Sequence, residues 1–558
     1  MISIDGNRIS VETRTLTAVI ENGVLISLVR KSDGRTFIHT GAAGRAPVEL
    51  IYPGQERVLL GLESGDCITT LRVSDYRAEV RIESWNGDAI IAITEVPASG
   101  ELIIEPSAYA SRPGLRACRW PLIGIDASLK LVAPFWQGIQ LTLDDPIIHD
   151  SHFPWPFEWQ AGLAILQAGE GGGFWVHAQD AHYRYKALHV GAANETDSLY
   201  FDTESYGPLD QSLGAGSLAW RINVYEGQWQ APAGQYRDWL AETYHPERTP
   251  RPDWLPELRF AISWCPCDPG ILDALAARLP PSQVLLHIPH WRTDGYDQNY
   301  PNYVASAEGR AFIQKAQDMG FRAMPHFNSV DMDPTHPTYT YLRDFQFREV
   351  ESKRLQGWTW ADGQVKPLQE SNAARLRHQD KNTMVKIHPG LSMWRSIITE
   401  HVRKAVLDLS LKTTFLDVTL CTWNLHNCLV EGMTPTEGMK WLIAQVAGIE
   451  GGLCVGGEGR NEITMQDTGL SQVHLFRSSH LSIDGLERTG GAPVNEFLFG
   501  NWSRSFGYSA LSGKTDDEHM RMHTHISLGA LPTITINSAE EVAHPNAAVD
   551  EMIRLAAE

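Results

Sequence analysis

Residues 413–421 read Thr-Thr-Phe-Leu-Asp-Val-Thr-Leu-Cys. The run is short, apolar and rich in β-branched and aromatic residues, as expected of a strand covered on both faces in a parallel sheet. A polar helical stretch, 394–409, precedes it, and Trp423-Asn424-Leu425-His426 follows. Asp417 stands near its C-terminal end, where a charge needs partners or a task. A second run, 451–457 (Gly-Gly-Leu-Cys-Val-Gly-Gly), ends in Glu458-Gly459-Arg460. Two successive buried strands thus deliver an Asp and a Glu to one rim of one barrel.

Outward from that pair, short apolar runs alternate with helical stretches from residue 258 on. Strands are expected at 259–264, 283–288, 322–327, 413–418, 451–456, 472–476, 496–499 and 526–534. Helices are expected at 270–278, 307–319, 394–409, 436–449 and 516–523. This alternation makes a (β/α)8 TIM barrel. The interval 328–412 interrupts it. Residues 334–391 read as irregular and charged, with the length of a lid or binding loop.

Residues 1–245 read as all-β. Short alternating runs are separated by Asp-Gly, Asn-Gly, Pro-Gly and Ser-Gly turns such as Asp5-Gly6, Asn22-Gly23, Pro53-Gly54 and Ser99-Gly100, the pattern of a sandwich. A hairpin is expected from 163–168 and 171–177, and a helix over 234–244. Pro246, Pro250, Pro252 and Pro256 then mark a linker, because proline continues neither a helix nor a central strand. The expected organisation is a β-sandwich at 1–245, a Pro-rich linker at 246–257, a catalytic barrel at 258–540 and a C-terminal helix at 541–558.

Composition narrows the function. The chain has 558 residues, a net charge of -20 and a pI near 5.5. A polyanion needs basic patches, so no nucleic-acid partner is expected. Seven cysteines without a paired Cys-x-x-Cys framework read as reduced thiols. The N-terminus lacks a basic region followed by an apolar one, and no run is long and apolar enough for a membrane span. The expected setting is cytoplasmic, with no membrane partner and with homo-oligomerisation left open.

Active sites of such barrels lie at the C-terminal strand ends. Those ends carry Trp264, Cys265 and Asp268; His290, Trp291, Asp294 and Asp297; His326, Asn328 and Asp331; Asp417 with Trp423; Glu458 and Arg460; Arg477 and His480; Asn501 and Trp502. Acids, amides and histidines hold hydroxyls in directed hydrogen bonds, and tryptophan covers the apolar face of a sugar ring. Glycoside hydrolysis needs two carboxyl groups flanking the bond. Asp417 is the candidate nucleophile and Glu458 the candidate acid/base, with the glycines around Glu458 leaving space for substrate. Trp264, His290, Trp291, Asp294, His326, Asn328, Trp423, Arg460, His480 and Trp502 are the candidate substrate-binding residues, Arg460 by pairing with one of the carboxylates. No cofactor is called for. His287 and His290 at i, i+3 on a strand point to opposite faces, so no metal is expected there. Asp294 and Asp297 equally fit a second role, bracketing a turn around Gly295.

The segment 20–29 followed by Ser32-Asp33-Gly34 resembles the opening strands of mutarotase-like supersandwich domains. With Phe-Leu-Asp-Val on the fourth barrel strand and Gly-Glu-Gly on the fifth, the chain resembles endo-α-N-acetylgalactosaminidases and, more distantly, melibiase-type α-galactosidases. The resemblance implies a glycosidase acting on α-linked sugars, with the nucleophile at Asp417 and the acid/base at Glu458. Two other functions fit the residues: a metal-dependent sugar isomerase or lyase using the barrel histidines, and a carbohydrate-binding protein without activity.

Overall fold

The computed structural model describes residues 1–558 apart from 170, 362–363, 368–382, 421, 423, 450–451, 474–490 and 509–510. It divides into two compact units, Met1–Thr243 with Ser478–Phe497, and Tyr244–Arg477 with Leu498–Glu558. No helix among the described residues is long and apolar enough to cross a membrane.

The first unit holds antiparallel sheets of five, ten and six strands. Alternation writes them. Arg8–Glu12 and Leu16–Glu21 bury every second residue, as a sheet with one wetter face requires. The glycine-punctuated hairpin pairs Leu163–Gln167 with Gly173–His177. Inside this unit Arg119 grips Asp202 through two buried hydrogen bonds of 2.6 and 2.8 Å, a bidentate geometry that offsets the desolvation of both ions. A later piece of chain also belongs here: Asn495 Nδ2 donates to Gln160 Oε1 at 2.5 Å, and the Phe497 ring lies 5.4 Å from Trp229 and 4.7 Å from the Arg237 guanidinium.

The second unit is the barrel. Its parallel strands are β1 (Phe260–Ile262), β2 (Val284–Ile288), β3 (Arg322–Asn328), β4 (Thr413–Asp417), β5 (Cys454–Glu458), β6 (Leu470–Val473), β7 (Arg504–Gly507) and β8 (Thr533–Ile534). β8 pairs with β1, and a bridge from Phe506 to Leu531 closes the ring. Its principal helices are α1 (Pro269–Ala276), α2 (Ala307–Asp318), α3 (Ser392–Leu409), α4 (Pro435–Ala447), α5 (Asp516–Ser527) and, at the C-terminus, α6 (Ala547–Ala557). Side-chain caps start most of them: Asp268, Ser306, Thr434, Thr515 and Asn546 each accept a first-turn N–H, satisfying donors that the helix leaves orphaned.

An apolar plug fills the barrel: Ala261, Leu285, Met324, Phe415, Cys454, Leu470, Phe506 and Leu531, with Leu255 and Leu258 beside it. Side chains alternate across a strand. Two residues beyond the plug, the inward positions are therefore Ser263, His287, His326, Asp417 and Gln472, and four residues beyond Cys454 comes Glu458. Gln472 Nε2 donates to Ser263 Oγ at 3.1 Å. A polar layer thus stands directly on an apolar floor.

Three expectations need correction. Residues 496–499 are not a strand but lie in the helix Val494–Phe499; the seventh strand is β7. The eighth is only β8, because 526–527 complete α5. The interval read as irregular contains a four-stranded antiparallel sheet of Asp331–Met332, Thr383–Lys386, Gly357–Ala361 and Gln364–Pro367, in that order.

Candidate active site

Asp417 ends β4 and Glu458 ends β5. Leu416 is in register with Gly457, so the two acids are the next matched pair and point to the same face of the sheet. The Asp417 side chain is 13% exposed and Glu458 is buried, at the C-terminal rim of the barrel. The residue after Asp417 ties them together: Val418 takes φ +62° and its N–H donates to Glu458 Oε2 at 3.2 Å. A β-branched residue in the left-handed region costs about 1–3 kcal/mol. Trp264 (φ +60°) and Asp297 (φ +53°) adopt it too, and such strain concentrates at functional sites.

Burial first, then the charges of Glu458, Asp297 and Asp331, push the Asp417 carboxyl well above its usual range, while the Val418 N–H works the other way. The Glu458 charge opposes ionisation of Asp417 and favours its neutral form.

Two donors face Asp417. Tyr296 Oη donates to Oδ2 at 3.5 Å, and burial together with the Asp417 charge keeps the phenol protonated. His326 Nε2 stands 3.6 Å from the same oxygen. Behind it, His287 Nε2 is 3.1 Å from His326 Nδ1, and the Trp264 backbone N–H donates to His287 Nδ1 at 3.4 Å. The backbone donor fixes the order: His287 carries its proton on Nε2 and His326 on Nε2, aimed at Asp417. Burial depresses both rings, His287 to about 3, so the chain is neutral. Three of its four ring nitrogens are committed to hydrogen bonds and the fourth faces Asp417, which leaves no converging lone pairs for a metal.

The insertion supplies another wall. Trp358 Nε1 donates to Asp297 Oδ2 at 3.3 Å. Lys386 Nζ donates to Asp331 Oδ1 at 3.1 Å and lies 3.9 Å from the Trp358 ring centroid. Burial chiefly, with Asp297 adding, raises Asp331 to about 7 against the pull of Lys386. Trp264, His290 and Tyr296 form an aromatic lip, with Trp264 and Tyr296 centroids 5.0 Å apart and His290 5.8 Å from Tyr296.

The other sequence candidates fall elsewhere. Trp291 is wholly buried in the helix–strand core and donates to His326 O at 2.9 Å. The Asn328 amide is spent on Asp331 Oδ2 and on the N–H groups of Val330 and Asp331. Asp294 accepts from Asn302 Nδ2 at 2.6 Å and from Asn299, bracketing the turn. Arg460 is buried and donates to Ser503 O at 3.1 Å, before the start of β7. Trp502 also precedes β7, at the opposite end of the barrel from Asp417. Trp423 and His480 lie outside the described residues. The glycines flanking Glu458 leave no open space: a Cβ at 457 would meet Thr419 Oγ1 at 2.9 Å, and one at 459 would run into Leu420 Cδ2. Tyr296, Trp358 and Lys386 were not anticipated.

Residues 217–439 match the family described as Domain of unknown function (DUF6259). No curated protein matches the chain. Among solved structures, α-N-acetylgalactosaminidase NagBb from Bifidobacterium bifidum, in complex with Gal-NHAc-DNJ, aligns with a TM-score of 0.69 at 11% identity, over 98% of this chain and 92% of that one. The GH36 α-galactosidase AgaA from Geobacillus stearothermophilus, in complex with raffinose, aligns with a TM-score of 0.51 at 7% identity, over 99% and 85%. The likeness is one of fold, and it is the β-sheet-plus-barrel architecture anticipated from the sequence.

Proposed function

We propose that this chain is a glycoside hydrolase that cleaves α-linked sugars with retention of configuration. The observation that carries the reading is the matched pair Asp417 and Glu458 at the C-terminal rim, above an apolar plug. In the first step an Asp417 oxygen attacks the anomeric carbon while Glu458 gives its proton to the departing oxygen. In the second, Glu458 takes a proton from water, which displaces Asp417. The Tyr296 hydroxyl and the His326 N–H face Asp417 and favour the anion there, against the burial that raises its carboxyl. Asp297 adds negative charge around a transition state that gains positive charge. Trp264 and Tyr296 present ring faces suited to the apolar side of a sugar.

The α preference and the first probes follow from the fold shared with the α-N-acetylgalactosaminidase and the α-galactosidase. Aryl α-N-acetylgalactosaminide and aryl α-galactoside are to be tested, with proton NMR reading the first-formed anomer. Turnover with the α-anomer appearing first supports the proposal. Asp417→Asn is expected to lose about four orders of magnitude or more, the scale of removing one member of a catalytic unit. Absence of turnover across α- and β-linked aryl glycosides, or turnover that survives Asp417→Asn, overturns it.

A further inference from the structure

Helix α5 carries His519 and His523 four residues apart, hence on one face. Glu551 of α6 meets them. His519 Nε2 and His523 Nε2 are 3.0 Å apart, Glu551 Oε2 is 3.3 Å from His523 Nε2, and the third side, His519 Nε2 to Glu551 Oε2, is 3.5 Å. Three donor atoms therefore form a nearly equilateral triangle. In a tetrahedral complex with bonds of about 2.0–2.1 Å, neighbouring ligand atoms stand about 3.3–3.4 Å apart. The triangle has the size of one face of that tetrahedron.

Packing does not impose this convergence. The three side chains are 44%, 45% and 35% exposed, and a surface Glu–His pair needs only one imidazole. Among the described residues, these are the His, Cys, Asp and Glu side chains whose ligand atoms meet as a group of three. Two imidazoles and one carboxylate suit a borderline ion, whereas Ca²⁺ and Mg²⁺ call for oxygen ligands throughout.

We propose that His519, His523 and Glu551 bind one Zn²⁺-class divalent ion, with water as the fourth ligand, and that the ion clips the C-terminal helix α6 to α5. The site lies on helices, apart from the polar layer of the barrel, and stands independently of the glycosidase reading.

The test uses the full chain, stripped of metal with a chelator and titrated with Co²⁺, whose tetrahedral complexes absorb strongly in the visible. One saturable equivalent per chain is expected, bleached when Zn²⁺ displaces it. His523→Ala and Glu551→Gln are each expected to weaken binding by about tenfold or more, at least what loss of an outer-shell support costs a metal site. His544→Ala, at an exposed histidine outside the triangle, leaves it unchanged. Zn²⁺ raises the thermal midpoint of the parent and of His544→Ala, and the rise is lost in the two ligand variants. No saturable Co²⁺ band in the parent, or a band of parental affinity in both ligand variants, overturns the site.

Discussion

Replacing Glu458 by Gln tests the coupling at the heart of the site, because it removes one charge and keeps the shape. The partners end neighbouring strands, and a retaining pair stands about 5–5.5 Å apart. At 5 Å, with an effective dielectric of about 20, two unit charges interact by about 3 kcal/mol. Glu458 is one of the charges that raise Asp417, so removing it lowers the Asp417 pKa. The assay is the burst of dinitrophenolate from a dinitrophenyl glycoside, whose leaving group departs without an acid. Its rate falls at low pH as Asp417 takes up a proton. In Glu458→Gln this acidic limb moves to lower pH, while steady-state turnover of a poor leaving group collapses. An acidic limb that stays where it is in the parent refutes the reasoning.

His326→Phe removes a donor to Asp417 and leaves the buried His287 Nε2–H without its acceptor; a loss of about 1–3 kcal/mol in urea denaturation is expected, with kcat falling more than KM rises. Asp331 gives a pH signature. Its folded pKa of about 7 lies above the usual unfolded value, so between roughly pH 4 and 7 the folded chain holds a proton that the unfolded chain releases. Its contribution is complete below about pH 4 and lost as pH rises through 7; thermal midpoints of Asp331→Asn are expected to fall less across that window than those of the parent. Gly459→Ala is expected to destabilise more than Gly456→Ala in chemical denaturation. At 459 a Cβ would sit 2.0 Å from Leu420 Cδ2 at φ +78°, whereas at 456 it meets the flexible Met324 sulfur.

The two acid-bearing strands were legible because strands covered on both faces lose polar alternation, and each run closes with a carboxylate. β7 and β8 were not. Arg504–Gly507 offers one large apolar residue, Phe506, and Thr533–Ile534 spans two positions, too few for any periodicity to register. The helix Val494–Phe499 imitated a strand for the same reason, since a run of six residues fits both periods. Tryptophan type announced sugar chemistry but not burial, and so Trp291 and Trp502 were expected at a mouth they do not line. Trp358 and Lys386 reach the site from an antiparallel sheet whose strands are too brief and too widely separated in sequence to be read as pairing. Tyr296 belongs to no motif; only the fold brings its hydroxyl to Asp417.

The assignment of Ser478–Phe497 to the first unit bears on how this protein may be dissected. A cut between residues 243 and 244 would not yield two whole pieces. The shorter product would forfeit Asn495 and Phe497, leaving Gln160, Trp229 and Arg237 without those partners. The longer would carry a stranded segment tethered between β6 and β7. Evolution, like the experimenter, has to inherit or exchange these units together, because the polypeptide is stitched through both.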